Sequence, residues 1–109
     1  MADDSILMVW TTCGRGDARA LAEVLVGERL VACVNVGDVE SVYRWQGEVA
    51  CEPEALLTMK TTRARWESLQ RRLAELHPYD VPEIVAVAAA EVGASYGAWV
   101  VESVGETAD

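Results

Sequence analysis

An α+β fold is what this sequence predicts, with elements in the order β-α-β-β-α-β and a short helix at the end. Three observations carry it. Apolar residues recur at spacings of three and four across 18–25 and again across 66–76, the signature of helices packed by one face. Short apolar runs at 6–12, 31–36, 55–60 and 84–90 have strand length and flank those helices. Gln46-Gly47 stands between two strand-like runs as a two-residue turn, with glycine supplying a positive φ, so the middle strands form a hairpin.

Ile6-Leu7-Met8-Val9-Trp10-Thr11-Thr12 is the first strand, apolar on both alternating faces and therefore expected to be buried on both. Cys13-Gly14-Arg15-Gly16 turns the chain, and Asp17 is placed to cap the first helix. Ala18, Leu21, Ala22 and Leu25 form its stripe. Gly27 costs about 1 kcal/mol late in that helix, which is expected to run to Glu28 or Arg29.

The second strand begins with Val31-Ala32-Cys33-Val34-Asn35-Val36, breaks at Gly37-Asp38 and resumes as Ser41-Val42-Tyr43-Arg44-Trp45. The returning strand sets Trp45 opposite Glu48 and Tyr43 opposite Ala50. Pro53 has no N–H for a ladder, so a bulge or bend is expected there before Ala55–Lys60 continues the third strand.

Thr62 can cap the second helix, whose buried stripe is Trp66, Leu69, Leu73 and Leu76, with Glu67 and Arg71 paired at i,i+4 on its wet side. Pro78 ends that helix near Leu76 or His77. The connection His77-Pro78-Tyr79-Asp80-Val81-Pro82-Glu83-Ile84 holds the only histidine, two prolines and two carboxylates. It is either a rigid platform for polar groups or a solvated turn. Ile84–Ala90 makes the fourth strand. Ser95 can cap a short last helix bearing Tyr96, Trp99 and Val100, and Gly105–Asp109 is expected to fray.

With 109 residues, one domain over 1–109 is the default. A net charge of −9 argues against a nucleic-acid partner. The acidic Met1-Ala2-Asp3-Asp4-Ser5 is unlike the start of a signal peptide, and no run approaches a membrane span. Three cysteines, an odd number without CxxC spacing, fit free thiols in a reducing cytoplasm.

The split order β-α-β-β-α-β is the ferredoxin-like pattern, and right-handed crossovers put both main helices on one side of the sheet. Ile6, Met8 and Trp10 then share a face opposite to Leu7 and Val9, and Ile84, Ala86 and Ala88 one opposite to Val85 and Val87. Two helices can cover only one of these faces. The fourth strand is also an edge strand without charge or proline. At ~25 cal/mol per Å², covering even a few hundred Å² is worth several kcal/mol, so an oligomer with inward-turned sheets is expected.

Three blocks, Leu30–Val36, Ser41–Glu48 and His77–Ile84, together with Leu57-Thr58-Met59-Lys60-Thr61-Thr62, resemble the CutA family of divalent-cation tolerance proteins. The resemblance covers about residues 6–101. It implies a compact, cytoplasmic, PII-like homotrimer associated with tolerance to copper and other divalent metals and not known as an enzyme. It also implies that the matching blocks line clefts between subunits.

Soft sulfur with imidazole suits copper or zinc, which His77 and the thiols of Cys13, Cys33 and Cys51 could supply; of these, the resemblance implies Cys33 and His77 as the candidate Cu²⁺ or Zn²⁺ ligands, with no obligatory cofactor. Cys13 is a less certain third. Looser binding would use His77 with Asp80, Glu83 or the hairpin acids. Trp45, Lys60, Tyr79, Asp80 and Glu83 are the candidate cleft residues. Trp45 also suits cross-strand packing, and Lys60 either meets an anionic effector or pairs with Glu83. An effector-sensing module for a small anion is the alternative function. No nucleophile and base are placed together by spacing, and Gly14-Arg15-Gly16 is too short for a phosphate loop.

Overall fold

The computed structural model describes residues 3–105. Within them run β1 (Ile6–Cys13), α1 (Ala18–Gly27), β2 (Cys33–Trp45), β3 (Glu48–Thr62), a 3₁₀ turn (Arg63–Arg65), α2 (Trp66–Leu76), β4 (Val85–Ala88) and α3 (Ala94–Val104). The strands form one antiparallel sheet in the order β2-β3-β1-β4, the expected ferredoxin-like arrangement with β4 at an edge. The tail beyond Gly105 lies outside the described residues.

The period-two pattern of β1 sorts its side chains cleanly. Leu7, Val9, Thr11 and Cys13 are buried, while Ile6, Met8, Trp10 and Thr12 are half-buried on the other face. The buried set packs with Ala55, Leu57 and Met59 of β3 under Ala18, Leu21 and Leu25 of α1 and Leu69 and Leu73 of α2. Trp66 and Leu76 lie at the margin of this core.

The hairpin is longer and straighter than the sequence suggests. β2 and β3 pair without interruption from Cys33↔Lys60 to Trp45↔Glu48, so neither the break at Gly37-Asp38 nor the bulge at Pro53 occurs. Pro53 pairs with Glu40, five steps from the turn-closing pair Trp45↔Glu48. Antiparallel alternation makes that a non-hydrogen-bonded position, where the proline nitrogen faces away from β2 and no ladder bond is lost. Pairing of β3 with β1 stops at Ala55, so among the described residues no strand pairs on the proline's free side. Gln46 and Gly47 both have positive φ, 49° and 80°, as a type I′ turn requires.

Several helix ends depart from expectation. α1 stops at Gly27, and Arg29 takes the left-handed turn at φ 60°. Asp17 is the N-cap residue but has αR angles, so its carboxylate does not reach the first-turn N–H groups. Thr62 precedes the 3₁₀ turn rather than α2, without a side-chain bond. Ser95 lies inside α3, whose N-cap is Gly93, and α3 is as long as α2 at 11 residues. Glu67 and Arg71 do not pair; Arg72 instead binds Glu28 through two contacts at 2.8 and 2.9 Å. β4 is shorter than the 84–90 run because its pairing is confined to Leu7–Trp10 of β1.

α3 crosses to the second face of the sheet. Val100 and Val104 pack there with Ala32 and Ile6. Arg29 Nε donates to the Gly105 carbonyl at 2.9 Å and Arg65 Nε to the Val104 carbonyl at 2.6 Å, which satisfies the end of α3. Among the described residues, α3 covers the Ile6 end of that face. Val85 and Val87 each remain 50% exposed, and Tyr43, Trp45, Tyr96 and Trp99 are exposed as well.

Candidate functional site

The free end of the β2–β3 hairpin extends past β1, whose pairing ends at Cys13↔Ala55. Unbroken register places Tyr43 and Trp45 on one face with Glu52 and Glu54, the face turned away from α1 and α2. The opposite wall is the connection from α2 to β4. Between them lies an open cavity of about 630 Å³.

His77 fixes that second wall. Pro78 forces it into an extended conformation, φ −73° and ψ 133°, just after α2. The residue is 6% exposed. Nε2 bonds the Thr12 carbonyl at 2.8 Å and Nδ1 accepts the Tyr79 N–H at 3.1 Å. An Nε2–H tautomer satisfies both contacts. The Tyr79 ring meets His77 edge-on, with centroids 4.7 Å apart. The Tyr79 hydroxyl then donates to Glu54 Oε2 at 2.7 Å. That bond to a carboxylate, reinforced by burial and by the charge of Glu54, raises the phenol well above its usual range. Tyr43, across the cavity, is raised by burial and by Glu52 and Glu54.

Four of the five expected cleft residues, Trp45, Tyr79, Asp80 and Glu83, line this one cavity. Lys60 does not. Register puts it between Cys33 and Met8, and its ammonium donates to Asn35 Oδ1. Glu83 lies beyond Val85, which pairs with Trp10, so the expected Lys60–Glu83 pair is out of reach.

The two candidate metal ligands are separated in the same way. Cys33 shares a cross-strand row with Met8, whereas His77 bonds Thr12, four residues along β1. At ~3.4 Å per residue that offset along the strand alone is roughly 14 Å, and Cys33 stands two strands over on β2, too far to share one ion within a chain. Both nitrogens of His77 are already bonded, so a metal there would displace one contact. The Cys33 thiol is half-exposed and lies 3.4 Å from the Tyr96 hydroxyl. That contact, with burial behind it, pushes the Tyr96 phenol up to about 12. Cys13 is buried and its thiol is raised by that burial, while Cys51 is exposed; all three cysteines are free. Among the described residues, no three His, Cys, Asp or Glu side chains are gathered to hold an ion.

Sequence reasoning did not single out Glu52 and Glu54 as cavity walls, or Tyr43 and Arg44 beside them. The signal was available. Gln46-Gly47 fixes the register, and counting outward from the turn in unbroken pairs puts Glu52 and Glu54 on the Tyr43 face. An expected bulge at Pro53 would have shifted Glu54 to the other face.

An all-antiparallel sheet in this order, backed on one face by α1 and α2, defines a ferredoxin-like α+β protein. Solved structures agree. CutA from Synechococcus elongatus superposes with a TM-score of 0.90 at 31% identity, covering 96% of this chain and 95% of that one. The PII-like protein CutA from Nostoc sp. PCC 7120 gives 0.87 at 35% identity, covering 91% and 97%. The divalent-cation tolerance protein CutA of Thermus thermophilus is 51% identical over 89 residues, 81% of this chain and 86% of that protein. Residues 6–103 match the CutA1 divalent ion tolerance protein family, and the chain belongs to that family.

Proposed function

We propose that this chain acts as a cytoplasmic homotrimer that moderates divalent cations by binding them weakly and does not catalyse a reaction. One observation supports this above the rest. The second face of the sheet is uncovered over Val85 and Val87, and that face also carries the Cys33 thiol and the acid-lined cavity. An apolar face of this kind favours association, and association brings ligands from different chains together. Cys33 supplies the soft ligand for Cu²⁺ or Zn²⁺, and Asp80 and Glu83 supply hard oxygens. His77 serves the fold first. Among the described residues, no helix is long and apolar enough to cross a membrane.

The charge of the cavity argues against the alternative of a small anionic effector: among the described residues Glu52, Glu54, Asp80 and Glu83 line it with Arg44 as the one cation. Calorimetric titration with Cu²⁺ and Zn²⁺ tests the metal reading on wild type and Cys33→Ala. Saturable binding weakened at least fivefold in the variant supports it. Identical, non-saturating curves contradict it.

A further inference from the structure

We propose that Tyr96 is the positioning residue for the Cys33 thiol: its hydroxyl sets the direction of the sulfur and donates to it when a soft cation is bound, so that soft cations are favoured over hard ones. The inference rests on the reading of Cys33 as the soft ligand and names the residue that governs it.

The contact is built by α3. Val100 and Val104 anchor that helix against Ala32 and Ile6. Tyr96 stands one turn before Val100, at i−4, and so shares its face. Cys33 follows Ala32 directly and opens β2. The helix thereby brings the Tyr96 hydroxyl to 3.4 Å from Cys33 Sγ. The contact lies within one chain, so it does not depend on whether the sheet face around it is open or covered by another copy.

Remote arginines hold the helix in place. Arg29 donates to the Gly105 and Glu102 carbonyls at 2.9 and 3.1 Å, and Arg65 to the Val104 carbonyl at 2.6 Å. α3 has no basic residue in its own last turn, so these two side chains complete its C-terminus from outside. The Trp99 ring lies beside that of Tyr96, with centroids 5.6 Å apart. The hydroxyl is therefore presented to Cys33 by the packing of a whole helix.

The chemistry follows from the donor inventory. A metal ion takes the thiolate rather than the thiol. Toward a thiolate a phenol hydroxyl can only donate, and such a bond from an outer group orients the ligand atom and tunes its affinity. Hard cations held by the Asp80 and Glu83 carboxylates make no use of it.

Titration calorimetry with Zn²⁺ and with Mn²⁺ on wild type, Tyr96→Phe, Cys33→Ala and the double variant tests the proposal. Phenylalanine keeps the ring beside Trp99 and removes the hydroxyl alone. Zn²⁺ affinity is expected to fall about tenfold in Tyr96→Phe, with the Mn²⁺ titration, the circular dichroism spectrum and the sedimentation coefficient unchanged. Tyr96→Phe is expected to add nothing once Cys33 is alanine. If Cys33→Ala weakens Zn²⁺ binding and Tyr96→Phe leaves it at the wild-type value, this inference alone is overturned. Equal losses for Zn²⁺ and Mn²⁺, or a further loss in the double variant, also overturn it, because a purely structural role predicts both. Absence of saturable Zn²⁺ binding to wild type removes the metal reading itself and this inference with it.

Discussion

The Tyr79 hydroxyl donates to Glu54 Oε2 at 2.7 Å, and this bond ties the connection after α2 to the free end of the hairpin. Together with His77, the two residues fix the width of the cavity.

Tyr79→Phe should therefore lower stability by about 1–2 kcal/mol, since it leaves a nearly buried carboxylate short of a donor. The alkaline limb should change as well. Tyr79 has a folded pKa raised above the ordinary tyrosine value of about 10. Its contribution is complete below that value and is lost as pH rises through the higher folded one. Wild type should lose stability above pH 10, and Tyr79→Phe should flatten part of that loss. Urea midpoints at pH 8 and pH 11 make the comparison.

Removing the imidazole of His77 should cost more. His77→Ala loses the bonds to the Thr12 carbonyl and the Tyr79 N–H and leaves a small void, together about 2–4 kcal/mol. Copper titration of the folded variant should match wild type. A large loss of metal binding with unchanged stability would reverse the assignment.

Two buried threonines should respond with opposite signs. Thr11 Oγ1 is buried without a partner among the described residues, whereas Thr61 Oγ1 donates to the Leu30 carbonyl at 2.7 Å. Thr11→Val should stabilise by about 1 kcal/mol, and Thr61→Val should destabilise by about 1–2 kcal/mol. Denaturant midpoints of both variants decide it.

The element order, the hairpin turn and the face assignments of β1 were legible because period-two and period-3.6 patterns are strong in this chain. The His77 connection was legible as a rigid segment, since Pro78 and Pro82 dictate it locally. Less legible were features set by tertiary pairing. Gly37 and Pro53 look like breaks in isolation, yet a continuous partner strand and a favourable pairing phase carry the hairpin through both. The length of α3 was hidden because Arg29 and Arg65, distant in sequence, complete its last turn. Lys60 and Glu83 each read as site residues, but only register shows that Lys60 lies in the Met8 row while Glu83 lies beyond the Val85↔Trp10 end of the ladder.

The proposed association depends on the uncovered face. Val85→Asp places a charge on β4 within it, where exposure of the monomer surface suggests little cost to the fold itself. That variant should shift the protein toward smaller species while retaining its circular dichroism spectrum.

Sedimentation velocity of the wild-type protein at low micromolar concentration tests the central claim most directly, because both the covered sheet face and a cleft shared between chains require assembly. A single species of three chain masses that persists on dilution is the predicted result. A stable, folded species of one chain mass would contradict it.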